Sequence, residues 1–310
     1  MQSGVSVIIC CYNSARRIPE TLQYIAKQLV PENLKWEVII VDNASSDDTP
    51  KIAQAEWEKH KDLKVDFRIV TEVKPGLNNA RFCGSNAAIY DVLLFCDDDN
   101  LLSKDYLLNA FNNLSKYPKL GIAGAGNAYG KYEINPPPKW FIEYQHFCCV
   151  YQMGDIDKID LNCDESVLAA GAGMCIRKSI ISAYFKAQDK ESAILDRVKD
   201  GLSSGGDTDI NYFCLKQGFG IGLFSNMNYF HYIPAERIKK SYLKKLAYSL
   251  TYSSMIVARK NQVPTYKWNK LGLIKNFIKL LLAGRIFGMQ IFWHQYLAQK
   301  KALTVFNHKL

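Results

Sequence analysis

Three consecutive carboxylates, Asp97-Asp98-Asp99, close the unbroken apolar run Val92-Leu93-Leu94-Phe95-Cys96. Such a run, with no polar alternation, reads as a strand buried on both faces in a parallel sheet covered by helices. The carboxyl ends of such strands are where open α/β sheets bind their ligands. Strand alternation puts Asp97 and Asp99 on one side and Asp98 on the other. Clustered carboxylates repel one another, and a divalent cation offsets the repulsion. Hard oxygen ligands suit Mg²⁺ or Mn²⁺, above all an ion shared with substrate phosphates. The competing reading is an acidic solvated turn, and the buried strand before it argues for a site. A second acidic pair, Asp207 and Asp209, follows Gly205-Gly206 at the start of a helical pattern. Carboxylates there act as N-caps or as a general base taking the proton of an attacking hydroxyl. The glycines leave room for an acceptor, so Asp207 is the first candidate base and Asp209 the second.

Several elements must position these groups. Val5 to Cys10 and Trp36 to Val41 read as buried strands, the second ending in Asp42-Asn43-Ala44-Ser45-Ser46-Asp47-Asp48-Thr49. Pro19 and Pro50 open helices in the first turn. A strand from Val65 to Thr71, a turn at Lys74-Pro75-Gly76-Leu77 and a helix from Asn78 to Ile89 precede the Asp-rich strand. A helix near Lys104 to Ser115 and a strand at Gly121 to Ala125 follow it. Alternation at this spacing predicts an α/β fold with a doubly wound, mostly parallel sheet. A last strand near Gly220 to Phe224 leads to His231.

The pattern loosens after residue 125. Asn135-Pro136-Pro137-Pro138 stiffens a turn before an aromatic stretch in which Trp140 and Tyr144 could stack a sugar ring or anchor a loop. Gly171 and Gly173, in a short apolar run, suggest close backbone approach to a ligand, or a bulge. From Pro234 the composition becomes basic and amphipathic. Leu271, Ile274, Ile278, Leu281 and Leu282, with Lys275 and Lys279, fit a helix lying in an anionic membrane interface. A helical lid on the catalytic domain and a homodimer contact are the alternatives.

The 310 residues carry a net charge of +9, which points to an anionic partner. The nine cysteines are odd in number and include no CxxC pair, which supports neither a disulfide framework nor a zinc site. No signal-peptide pattern opens the sequence and no apolar run reaches transmembrane length, so a cytoplasmic protein, peripheral on the inner face of the plasma membrane, is expected.

Four motifs together resemble the nucleotide-sugar glycosyltransferases of family 2, with the Rossmann-like GT-A fold. They are Val-Ile-Ile-Cys-Cys-Tyr-Asn (7–13), Val-Asp-Asn-Ala-Ser-Ser-Asp-Asp-Thr (41–49), Gly-Leu-Asn-Asn-Ala-Arg (76–81) with Gly84, and Phe-Cys-Asp-Asp-Asp (95–99). A fifth, Gly-Gly-Asp-Thr-Asp (205–209), is similar to the family's base motif, with Gly206 where the family usually has Glu. Phe82 stands where it often has Asn. The resemblance implies a GT-A catalytic domain over 1–235, with a nucleotide-binding half to about 125 and an acceptor half over 126–235. A basic helical extension then covers 236–310. It implies that Cys11, Tyr12 and Asn13 line the nucleotide pocket and that Asp42 contacts the base. Arg81 would meet phosphate or base. Asp97 and Asp99 would hold the metal, with Asp98 near ribose or metal, and His231 would reach the metal or diphosphate. The expected activity is metal-dependent, inverting transfer of a sugar, from a UDP-linked donor before a GDP- or dTDP-linked one, to a glycan or lipid-linked acceptor.

Other classes fit less well. A nucleotidyltransferase should show a glycine-rich phosphate loop near the N-terminus, and residues 10–17 contain no glycine. A dehydrogenase needs GxGxxG after the first strand, which is absent. A nucleic-acid-binding protein would account for the charge and leave the buried-strand carboxylates unexplained, so no nucleic-acid partner is expected. A GT-A-like nucleotide-binding protein without transferase activity remains the alternative to the enzyme.

Overall fold

The computed structural model describes residues 2–188, 201–265 and 270–307, without the side chains of 270, 271, 306 and 307. Its first part follows the hydrophobic pattern: β1 (Gln2–Cys11), α1 (Ile18–Ala26), β2 (Trp36–Asp42), α2 (Thr49–Glu58), β3 (Asp66–Thr71), α3 (Leu77–Ala87) and β4 (Tyr90–Asp97). β1 pairs in parallel with β2 and β4, and β2 with β3. Alternation along β1 splits its side chains between two cores. Val5, Val7, Ile9 and Cys11 pack with Ile18, Leu22 and Ile25 of α1 and Trp57 of α2. Ile8 packs on the other face with Ala80 of α3. Burial on both faces is why these strands read as continuous apolar runs.

Beyond β4 the chain turns through Asp98 and Asp99 into β5 (Asn100–Leu102), α4 (Tyr106–Lys116) and β6 (Leu120–Tyr132). Then come α5 (Lys139–Ile142), β7 (Tyr151–Gln152), β8 (Lys158–Asp160), β9 (Met174–Arg177), α6 (Lys178–Ala187), α7 (Gly206–Lys216) and β10 (Gly220–Ile233). The sheet order is β3-β2-β1-β4-β9-β6-β10-β5, with β7 on β6 and β8 on β10. The α/β expectation holds in a mixed sheet, because β9 runs antiparallel between β4 and β6. β5 and β9 are too short to announce themselves by periodicity. β10 is longer than expected. Its register shifts between Phe224 and Asn228, and the polar pair Ser225-Asn226 conceals that one strand continues. His231 therefore lies inside β10, opposite Asn100 of β5 and Gly130 of β6.

The C-terminal region forms α8 (Lys240–Asn261), α9 (Lys270–Leu282) and α10 (Ile286–Asn307). A third core joins Leu243, Leu246 and Ala247 of α8 and Ile291 of α10 to Phe141, Val150 and Ile233. Packing thus runs across residue 235 without a break. Among the described residues no helix is long and apolar enough to cross a membrane.

Candidate active site

A cleft of about 610 Å³ opens at the carboxyl ends of β1 and β4. Its lining includes Cys10, Cys11, Tyr12, Asn13, Arg17, Asn43, Arg81, Asp97, Asp98 and Asp99. Gly171, Ser204, Asp207, His231 and Arg237 also line it. The topology explains part of the gathering: Cys11 and Asp97 end β1 and β4, Asn43 follows β2, and Arg17 stands just before α1.

The three aspartates fan out rather than alternate, since β4 ends at Asp97 and the next two residues form the turn. The Asp97 N–H donates to Asn100 Oδ1 at 3.1 Å. Asp98 turns toward α1, accepting from Arg17 at 2.5 Å and from the Ser14 hydroxyl. The Thr21 hydroxyl donates to the Asp98 carbonyl at 2.8 Å. Asp99 turns the other way. Its Oδ1 lies 3.3 Å from His231 Nε2 and its Oδ2 3.1 Å from Arg237 Nη1. Burial opposes ionisation of Asp99, but His231 and Arg237 outweigh it and hold the carboxyl below its ordinary range. Arg237 occupies the 3₁₀ turn Ala235–Ile238 that leads into α8.

At the opposite wall Asp207 sits in the first turn of α7, where the helix dipole favours a carboxylate. Its Oδ1 accepts from Thr208 N–H at 2.8 Å and its Oδ2 from Gly171 N–H at 2.9 Å. A carboxylate offers about four lone-pair directions, so both oxygens keep capacity for a proton. Gly171 is where this backbone must pass closest: a Cβ there would lie 2.5 Å from Arg81 Nη2 and 3.1 Å from Asp207 Cβ. The absent side chain lets Arg81 and Asp207 stand beside one another.

Several expected residues lie elsewhere. Asp209 is 2 % exposed and faces away from the cleft. It accepts from Tyr184 Oη at 2.8 Å, Lys260 Nζ at 2.7 Å and Asn261 Nδ2 at 2.8 Å, bolting α6, α7 and α8 together. Positions i and i+2 of a helix point roughly 200° apart, which is why only Asp207 faces the cleft. Trp140 and Tyr144 each meet Phe287 of α10 edge-on at 5.2 Å, so both anchor the C-terminal helices and neither lines the cleft. Gly173 serves the fold. At φ +76° its N–H donates to the Phe95 carbonyl at 2.9 Å and its own carbonyl accepts from Tyr106 Oη at 2.7 Å. Asp42 is buried beside the cleft, with Ser45 N–H 3.4 Å from its Oδ1, while its neighbour Asn43 lines the cavity. Asn13 ties the β1 and β2 loops together by accepting from Ser46 N–H at 2.8 Å.

Sequence reasoning missed Arg17, which looks like any helix-start cation, and Arg237, which was legible only within a basic run. It also missed the wall made by His146, Phe147, Cys148, Tyr151 and, from α8, Tyr242, Leu246 and Leu250. Ser204 N–H donates to Ser253 Oγ of α8 at 3.2 Å, so that helix also holds the loop before Asp207.

Among the described residues, no three or more His, Cys, Asp or Glu side chains are pre-assembled around a cation position. Mg²⁺ and Mn²⁺ need no such cage when phosphates complete the coordination. Asp97 in the cleft, with Asp99 Oδ1 and His231 Nε2 3.3 Å apart, is a donor set of the right chemistry for such an ion. The Nδ1 of His231 is buried without a hydrogen-bond partner.

The family model described as glycosyl transferase family 2 matches residues 6–185. The chain belongs to that family. It has the sheet and helices of the GT-A fold. A poly-beta-1,6-N-acetyl-D-glucosamine synthase of Staphylococcus epidermidis is 32% identical over 124 residues, 40% of this chain and 28% of that protein. The synthase of Staphylococcus aureus strain COL is 30% identical over the same length and shares. The match thus spans little more than a quarter of these curated relatives. Among solved structures, the mannosyltransferase PcManGT of Pyrobaculum calidifontis, in complex with GDP-Man and Mn2+, superposes with a TM-score of 0.61. It is 17% identical and covers 98% of this chain and 75% of its own. S. aureus TarS 1–349, in complex with UDP-GlcNAc, gives a TM-score of 0.53 at 17% identity, over 83% of this chain and 71% of its own. These structural likenesses are of fold. The family match stops before α7, so the assignment of Asp207 rests on its placement in the cleft.

Proposed function

We propose that this glycosyltransferase moves a sugar from a UDP-linked donor to a hydroxyl of a glycan or lipid-linked saccharide, with inversion at the anomeric carbon. The observation that carries the reading is the single cleft lined by both the Asp97–Asp99 cluster and Asp207. The nucleotide would sit over Cys11, Tyr12 and Asn13, with Asn43 and Asp42 toward the base. Arg17, Arg81 and Arg237 give the cleft cationic groups suited to a diphosphate. Asp97, Asp99 and His231 would hold a divalent cation, which when bound supplies compensation for charge developing on the departing diphosphate. Asp207 takes the proton of the attacking hydroxyl as its oxygen bonds to the anomeric carbon. Attack opposite the leaving group inverts that carbon. UDP-GlcNAc is the first donor to test, on the strength of the names carried by the synthases and by the TarS complex.

A screen of UDP-, GDP- and dTDP-sugars for nucleotide release, with Mn²⁺, with Mg²⁺ and with EDTA, tests the proposal. Metal-dependent UDP release from one UDP-sugar is the expected result. Release from none of them, or release undiminished by EDTA, would overturn it.

A further inference from the structure

The charge of this chain is unevenly distributed. Residues 237–310 hold 15 Lys and Arg and no Asp or Glu, whereas residues 1–236 hold 24 Lys and Arg against 30 Asp and Glu. The +9 surplus therefore belongs wholly to residues 237–310. Arg237, Lys260 and Arg285 pair with Asp99, Asp209 and Glu143 of the body. Lys275 and Lys279 on α9 are exposed.

α9 also carries two apolar stripes. The inner one packs on α10, where Phe277 meets Phe292 at 5.4 Å and Trp293 at 6.1 Å between ring centroids. The outer one is Ile274, Ile278, Leu281 and Leu282, at helical spacing, with exposures of 57%, 51%, 61% and 83%. Ile286, Trp293 and Leu297 of α10 add exposures of 68%, 46% and 39%. Surface helices keep a polar outer face unless something covers it. Lys275 and Lys279 each follow a residue of the outer stripe, so cations flank the apolar strip.

We propose that the outer face of α9, with the adjoining face of α10, docks on an anionic lipid surface. Leucine and isoleucine would enter the headgroup boundary while Lys275 and Lys279 meet lipid phosphates. A second copy of the chain fits this face poorly, because it would bring two acid-free basic helical regions against each other. Nucleic acid would satisfy the lysines and leave the leucines in water. The inference stands on exposure and charge, independently of the donor and acceptor assigned above.

Flotation of the full chain with phosphatidylcholine vesicles, with and without phosphatidylglycerol, tests the docking. Binding is expected to vesicles containing phosphatidylglycerol and to weaken with added salt. The double variant L281D/L282D is expected to lose it, with unchanged thermal melting because both residues are exposed. K275E/K279E should lower affinity for the anionic vesicles by roughly tenfold or more, at about 1 kcal/mol per charge near the surface. No flotation of the parent chain, or flotation undiminished in L281D/L282D, would overturn the proposal. So would sedimentation showing a dimer that L281D/L282D dissociates, since a second copy would then cover the face.

Discussion

At the strand end of the cleft, Asp98 and Asp99 are held by side chains, Asp98 by Arg17 and Asp99 by Arg237 and the His231 ring. At the helix end, Asp207 is held by two backbone N–H groups, those of Thr208 and Gly171. Side-chain cations on long stems can exchange partners. Under the proposed reading, Arg17 and Arg237 turn to a diphosphate when it arrives and release carboxylate oxygens. Backbone donors cannot move in that way, so Asp207 stays aimed. A site that accepts and releases charged groups is thus paired with one that keeps a fixed proton acceptor. α8 joins the two, through Arg237 just before it and through Ser253, Lys260 and Asn261 along it.

The comparison breaks most readily at the helix end. Asp207→Asn is expected to lower turnover by about 10²–10⁴-fold, the usual contribution of a general base. Asp209→Asn should act chiefly on stability. Steady-state rates beside thermal melts of both variants separate them, and equal rate losses would erase the distinction between cleft-facing and core-facing carboxylates.

Lys260→Met leaves Asp209 buried without its cation. Removing one partner of a fully buried pair costs about 3–5 kcal/mol. Lys260 is 28% exposed, so roughly 2 kcal/mol of lost stability in urea unfolding is the discounted expectation. Wild-type stability would mean that α8 is not bolted to α7 through this contact.

Gly171→Ala sharpens the picture at the meeting point of Arg81 and Asp207. The added methyl displaces one of them, and a misplacement near 1 Å costs about a hundredfold in rate. Circular dichroism and melting should stay close to wild type. Full activity would mean that the two side chains need not stand together.

A smaller effect concerns the floor of the cleft. Burial pushes the Cys10 thiol up to about 12, with Arg81 opposing. Its alkylation by iodoacetamide at mildly alkaline pH should be roughly a thousandfold slower than that of an ordinary cysteine. Rapid labelling at Cys10 would show a wetter, more open floor.

Much of this site was legible in the sequence, because β1, β2 and β4 are apolar runs that end abruptly in polar groups. That pattern locates strand ends, and strand ends locate the cleft. Less legible was the direction of each side chain once the strand gives way to a turn, as at Asp98 and Asp99. Asp207 and Asp209 look alike as helix-start carboxylates, yet their spacing alone places them on different faces. Trp140 and Tyr144 were ambiguous because an aromatic ring fits a sugar and a hydrophobic joint equally well, and only the position of α10 decides between them. Arg237 stood out only as part of a basic run, since its partner Asp99 lies 138 positions away in the chain.

Calorimetric titration of UDP, with and without Mn²⁺, into the parent chain, Asp97→Asn and Asp207→Asn tests the division of labour between the two ends most directly. The account predicts Mn²⁺-dependent binding by the parent, its loss in Asp97→Asn, and its retention in an Asp207→Asn protein that no longer turns over. Metal-dependent binding that survives Asp97→Asn and disappears in Asp207→Asn would contradict it.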